Sequence, residues 1–127
     1  MGFNGFIAVG IGAAIGAWAR WGLSWGFNAV FPLLPMGTLI ANLSGGYMMG
    51  LTMGFAGMGG VFTPELRLLI TTGFLGGLTT FSTFSAEAVD LFSQGEYGWA
   101  SMHILSHVVG SLLMTALGVL TVQMLKS

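Results

Sequence analysis

The chain has 127 residues, 54% of them hydrophobic and 6% charged, with a formal net charge of -1. A soluble domain carries about 25% charged residues, so Arg20, Glu65, Arg67, Glu87, Asp90, Glu96 and Lys126 cannot solvate a globular surface of this size. The solvent over most of the surface must be lipid; the balance excludes a strongly basic nucleic-acid binder, and the absence of Cys excludes disulfides and thiolate metal sites.

Four membrane spans are expected in a single transmembrane domain, 1–127. The first covers about 3–27, near the roughly 20 residues that cross a bilayer. No basic stretch precedes it, so it reads as a mature helix and not as a cleaved leader. Trp18, Trp21 and Trp25 crowd its second half, as in an interfacial belt. Asn28, Pro32 and Pro35 mark a turn. The second span covers about 37–55 and ends in the loop 57–64. The third covers about 65–92, and the fourth about 99–124 after the polar turn 93–98. An even number of spans puts both ends of the chain on one side. There is no convincing internal repeat, which argues against two fused transporter halves.

Glycine is the second signal, at 22 residues. Gly12 and Gly16 stand four apart on the first span, and Gly46, Gly50 and Gly54 do the same on the second. Small residues at this spacing let helices approach closely in lipid. The pattern does not separate packing inside one bundle from packing between subunits.

The third span carries three glycines and seven hydroxyl residues from Thr71 to Ser85 around its middle, Gly76, Gly77, Thr79, Thr80 and Ser82 among them. Glycine costs about 1 kcal/mol in a helix interior, and Ser and Thr compete for backbone hydrogen bonds. An intact Gly/Thr-rich packing helix would accommodate these residues, but a broken helix is the favoured reading. A break is tolerated at membrane depth only where the freed groups are buried or line a wet cavity. Freed carbonyls can bind a cation, and helix N-termini an anion.

Asn42 inside the second span needs partners, so it must face protein or water. It shares a face with Thr38, Gly46 and Gly50. The fourth span carries His103, His107, Ser111 and Thr115 at every fourth position. Each hydroxyl alone is explained by interhelical hydrogen bonding; the whole stripe, with Asn42 and the break, points to an ion path. Arg20 could snorkel to the interface, pair with Glu87 or draw anions into a vestibule. Glu87 follows the break, and an intramembrane carboxylate is a candidate functional group. No enzyme constellation is present. The two histidines have no acidic residue between them, so the zinc-protease motif is absent, and no nucleotide-binding loop supports a pump.

Arg67 and Lys126 fall on the side of the termini and Arg20 nearer the other. So small a bias would let the chain insert in both orientations, and two opposite copies could form an antiparallel dimer.

Gly76-Gly77-Leu78-Thr79-Thr80-Phe81-Ser82-Thr83-Phe84-Ser85 closely resembles the signature of the Fluc/CrcB fluoride channels, as does Gly37-Thr38-Leu39-Ile40-Ala41-Asn42. Arg20-Trp21 and His107-Val108-Val109-Gly110-Ser111 are also similar to that family. The resemblance covers all four spans. It implies an all-α membrane protein with a broken third helix, assembled as an antiparallel dual-topology homodimer in the inner membrane of a prokaryote. It further implies passive fluoride export conferring fluoride resistance, through two pores per dimer. Asn42, Phe81 and Phe84 match the pore positions, and Ser82, Ser111 and Thr115 the hydroxyl track. Arg20 and Glu87 match positions near the vestibule. The carbonyls of Gly76 and Thr79 from both subunits match those that hold a central structural Na+. Some relatives have Tyr at the position of His103, so no shared role is carried over there. The rivals are a small proton-coupled multidrug exporter, which needs a carboxylate that the first span lacks, and a non-transporting membrane scaffold.

Overall fold

The computed structural model describes residues 2–127, and among these no strand occurs. Helix α1 is Phe3–Phe27, followed by a 3-10 turn at Asn28–Val30. Helix α2 is Met36–Ala56 and begins directly after Pro35. Helix α3, residues 64–78, starts where the Thr63 hydroxyl accepts a hydrogen bond from Leu66 N–H at 3.1 Å. Pro64 in its first turn has no N–H to lose, and Glu65 there suits the positive helix end. The chain widens to π-helical turns over Leu69–Leu75 and tightens again over Gly76–Leu78. Thr79 (φ -90, ψ 154) and Thr80 (φ -150, ψ 123) are extended. Helix α4, Phe81–Ser93, restarts with the Thr80 hydroxyl capping Thr83 N–H at 3.1 Å. It ends at Gly95, whose φ of 78 lets Glu96 N–H return to the Leu91 carbonyl at 2.9 Å. Helix α5, Tyr97–Lys126, completes the bundle.

The second and fourth spans exceed their expected bounds by one or two residues at each end, because turn residues at their edges join the helices. Three helical stretches are long and apolar enough to cross a membrane: Phe3–Val30, Pro64–Ser93 and Tyr97–Lys126, with mean hydropathies of 1.4, 1.2 and 1.9. Helix α2 is not among them, although it has 21 residues and no charge, because Thr38, Asn42, Ser44 and its glycines dilute its apolar character.

The burial pattern is that of a lipid-solvated bundle. Trp25 is 83% exposed, and leucines such as Leu112 and Leu125 also face outward. The interior holds Ala41, Leu75 and Leu78 together with buried Thr38, His103 and His107. Glycines set the two tightest helix pairs. Gly12 and Gly16 of α1 lie against the α3 backbone at Phe74, and Gly77 of α3 lies against Ala13 and Ala17. Gly50 of α2 lies against the Thr115 carbonyl, and Gly118 of α5 against the Tyr47 carbonyl. A methyl group at any of these positions would run into a neighbouring backbone. These glycines therefore pack within one chain.

Candidate functional site

The extended pair Thr79–Thr80 interrupts a helix beside α2, and its backbone groups need new partners. In a continuous helix Thr80 N–H would bond to the Gly76 carbonyl. Here it donates to Asn42 Oδ1 at 2.8 Å, and Asn42 Nδ2 donates to the Thr80 carbonyl at 3.0 Å. One side-chain amide thus pairs with both ends of one backbone residue. The pairing also fixes which end of Asn42 is nitrogen. That nitrogen lies 2.9 Å from His107 Nδ1. Nδ1 must then accept, so neutral His107 carries its proton on Nε2.

Arg20 repairs a second gap. Phe81 N–H would have bonded to the Gly77 carbonyl; Arg20 Nε donates to that oxygen at 3.0 Å instead. The pairing of Arg20 with Glu87 considered from sequence does not occur, because Arg20 turns to the interruption and Glu87 to α2 and α5. Arg20→Ala is expected to lower stability by about 1 kcal/mol, the low end of the cost of an unpaired carbonyl, because this one is half-buried. Thermal unfolding in detergent reads this; unchanged stability would remove Arg20 from the repair.

A cleft of about 430 Å³ opens at the interruption, lined by Asn42, Thr79, Thr80, Phe81, Phe84, Ser111 and Thr115 among others. Phe81 is 77% exposed and Phe84 is buried, their rings meeting edge to face at 5.4 Å between centroids. Ser101, Ser106 and Thr121 on α5 bond back to carbonyls four residues earlier. The Ser111 and Thr115 hydroxyls make no such bond among the described residues, which leaves their donors free to face the cleft. Gly46 has no side chain to cover Thr115 Oγ1, which lies 3.2 Å from where a methyl would stand.

Ser82 is not in this cleft. It is exposed on the outer face of α4, with Ser85 and Asp90, around a second hollow. Of the sequence candidates, Asn42, Thr79, Phe81, Phe84, Ser111 and Thr115 line this cleft, and Phe81 also borders the second hollow beside Ser82.

Glu87 sits one level away. Thr38 Oγ1 donates to Glu87 Oε2 at 2.7 Å, and Thr38 N–H donates to Asn28 Oδ1 at 3.1 Å. Glu87 Oε1 lies 3.3 Å from His103 Nε2. In the sequence Asn28 marks only a turn before Pro32 and Pro35, and its bond to Thr38 appears only in the fold.

The sequence pattern of a known family, CrcB-like protein, Camphor Resistance (CrcB), matches residues 7–119. A Cupriavidus taiwanensis protein named fluoride-specific ion channel FluC is 60% identical over 125 residues, covering 98% of this chain and 99% of its own. A Cupriavidus pinatubonensis protein of the same name is 61% identical with the same coverage. One from Nitrosospira multiformis is 52% identical over 98% of both chains. With matches this long, and spans of this length and hydropathy, the chain is an integral multi-pass membrane protein and belongs to the CrcB family.

Proposed function

We propose that the protein is a fluoride-selective channel for passive export, acting in the cytoplasmic membrane of a prokaryote. The observation that carries this reading is the cleft at the interrupted helix, where free hydroxyls face aromatic rings and no charged side chain is among the lining residues. The relatives named as fluoride channels support it.

Fluoride is small and holds its water tightly, so a path must offer close donors in exchange. Hydroxyls of Ser111 and Thr115 do this without a full charge, which lets the ion leave again. Phe81 and Phe84 add the positive edges of their rings. The geometry shifts the role of Asn42: both of its amide hydrogens are already directed at Thr80 and His107, so it holds the interruption open instead of stripping water itself. Membrane potential would drive the anion outward, and no nucleotide is needed.

Two copies inserted in opposite directions would form the working unit. Ser82, Ser85 and Asp90 on the outer face of α4 are poor lipid neighbours and suit a protein partner. Reporter fusions at the C-terminus test this; signal from one side of the membrane alone would end the dual-topology reading. A structural Na+ also fits the residues present. The Gly76 carbonyl has lost Thr80 N–H to Asn42, and Thr79 is extended, so both offer oxygen outside regular helix bonding. These carbonyls, from two chains, would hold the ion, whose charge would offset the partial charges of the helix ends.

Fluoride-electrode traces from liposomes carrying the purified protein, run beside chloride, test the main reading. Rapid fluoride release with little chloride is expected. No fluoride release from folded dimers would return the scaffold alternative. Phe81→Ile should reduce the rate about two- to tenfold, since an aromatic edge contributes roughly 0.5–1.5 kcal/mol. Phe81 is exposed in the single chain, so its folding should be unaffected. A wild-type rate in this variant would remove the ring from the path.

A further inference from the structure

We propose that Glu87, His103 and His107 form a binding site for a borderline divalent metal ion of the zinc class. One ligand atom from each lies within 4.8 Å of the other two. His103 is 0% exposed and His107 4%. Nε2 of His103, Nε2 of His107 and Oε1 of Glu87 are buried without a hydrogen-bond partner among the described residues. Buried polar atoms are nearly always satisfied, so three such atoms gathered from three residues make a concentrated donor set. The sequence separates these residues; the fold adds a carboxylate from α4 to the histidine pair of α5.

Spacing and chemistry agree. Ligands about 2.0–2.1 Å from a tetrahedral zinc ion stand about 3.3–3.4 Å apart. Glu87 Oε1 and His103 Nε2 are 3.3 Å apart, so that edge is already set, and His107 has to close the third corner. Thr38 holds the other carboxylate oxygen at 2.7 Å, and Asn28 holds Thr38, as outer partners of metal ligands do. Two imidazoles and one carboxylate suit Zn2+ and not the hard cations Na+, Mg2+ or Ca2+, which take oxygen alone. The site is therefore separate from the carbonyls of Gly76 and Thr79.

Coordination through His107 Nε2 moves that proton to Nδ1, where it faces the Asn42 amide donor. Zinc would thus oppose the Asn42–His107 bond and reach the interruption at Thr80. Its effect on flux rests on the fluoride reading; its binding does not.

Equilibrium dialysis of untagged protein against zinc, with X-ray absorption at the zinc edge, tests the site. One saturable ion per chain is expected, with an imidazole signature. Glu87→Gln and His103→Gln should each weaken binding at least tenfold, and Thr38→Ala about tenfold through the carboxylate. Absence of saturable binding at millimolar zinc, or wild-type affinity in all three variants, would overturn the proposal. Where a variant does not fold, the wild-type spectrum decides: imidazole ligands support the site, and oxygen ligands alone overturn it. In liposomes, zinc is expected to slow fluoride efflux. Binding without slowing would overturn the coupling to Asn42, and an absence of efflux before zinc is added would count against the fluoride reading alone.

Discussion

Asn42→Ala is expected to lose most of its fluoride efflux and to unfold more readily than any other single cleft variant. The amide accepts from Thr80 N–H at 2.8 Å and donates to the Thr80 carbonyl at 3.0 Å. Alanine leaves both groups without a partner in a region that lipid surrounds. Each unpaired buried group costs about 1–3 kcal/mol, so the loss should be roughly 2–6 kcal/mol. Water could enter the cleft and recover part of it, which sets the lower end. Asn42→Asp is a graded control. It keeps the acceptor for Thr80 N–H and turns the donor into a carboxylate oxygen facing a carbonyl. It should remain folded more often than the alanine variant while its efflux still falls sharply. Thermal unfolding in detergent and efflux from liposomes read the two effects separately. Wild-type stability and flux in Asn42→Ala would remove the amide from the interruption.

Gly50→Val is expected to give the second large effect, by parting α2 from α5. A side chain at Gly50 would meet the Thr115 carbonyl and Gly118 Cα, and backbone cannot yield as a flexible side chain can. Overpacking costs about 1–3 kcal/mol and occasionally more. The helices that separate are those carrying Asn42 and Thr115, so efflux should fall together with stability. Gly98→Val is the matched control, because nothing lies within 4 Å of a methyl there. Equal unfolding temperatures for the two variants would mean that the close approach of α2 and α5 does not hold the bundle together.

Membrane residence was legible from the sequence because it follows from composition. Seven charged residues in 127 leave no choice of solvent. Helix positions followed from prolines, glycines and the loss of apolar character between spans, which act locally. The polar stripe of α5 was legible because helical spacing alone places His103, His107, Ser111 and Thr115 on one face.

Partners were decided only by the tertiary structure. Arg20 and Gly77 are 57 positions apart, and Asn42 and Thr80 are 38 apart. Nothing local distinguishes Arg20 pairing with Glu87 from Arg20 bonding to a freed carbonyl. Only the approach of α1 to α3 through Gly12, Gly16 and Gly77 brings the second about. The two serines of the sequence candidates were parted in the same way. Ser111 faces the cleft and Ser82 the outside, because the restart of α4 at Phe81 sets a rotation that the pattern of hydroxyls does not contain. A sequence states which groups must find partners in lipid, since their desolvation cost is their own; which partners they find depends on how closely the backbones approach.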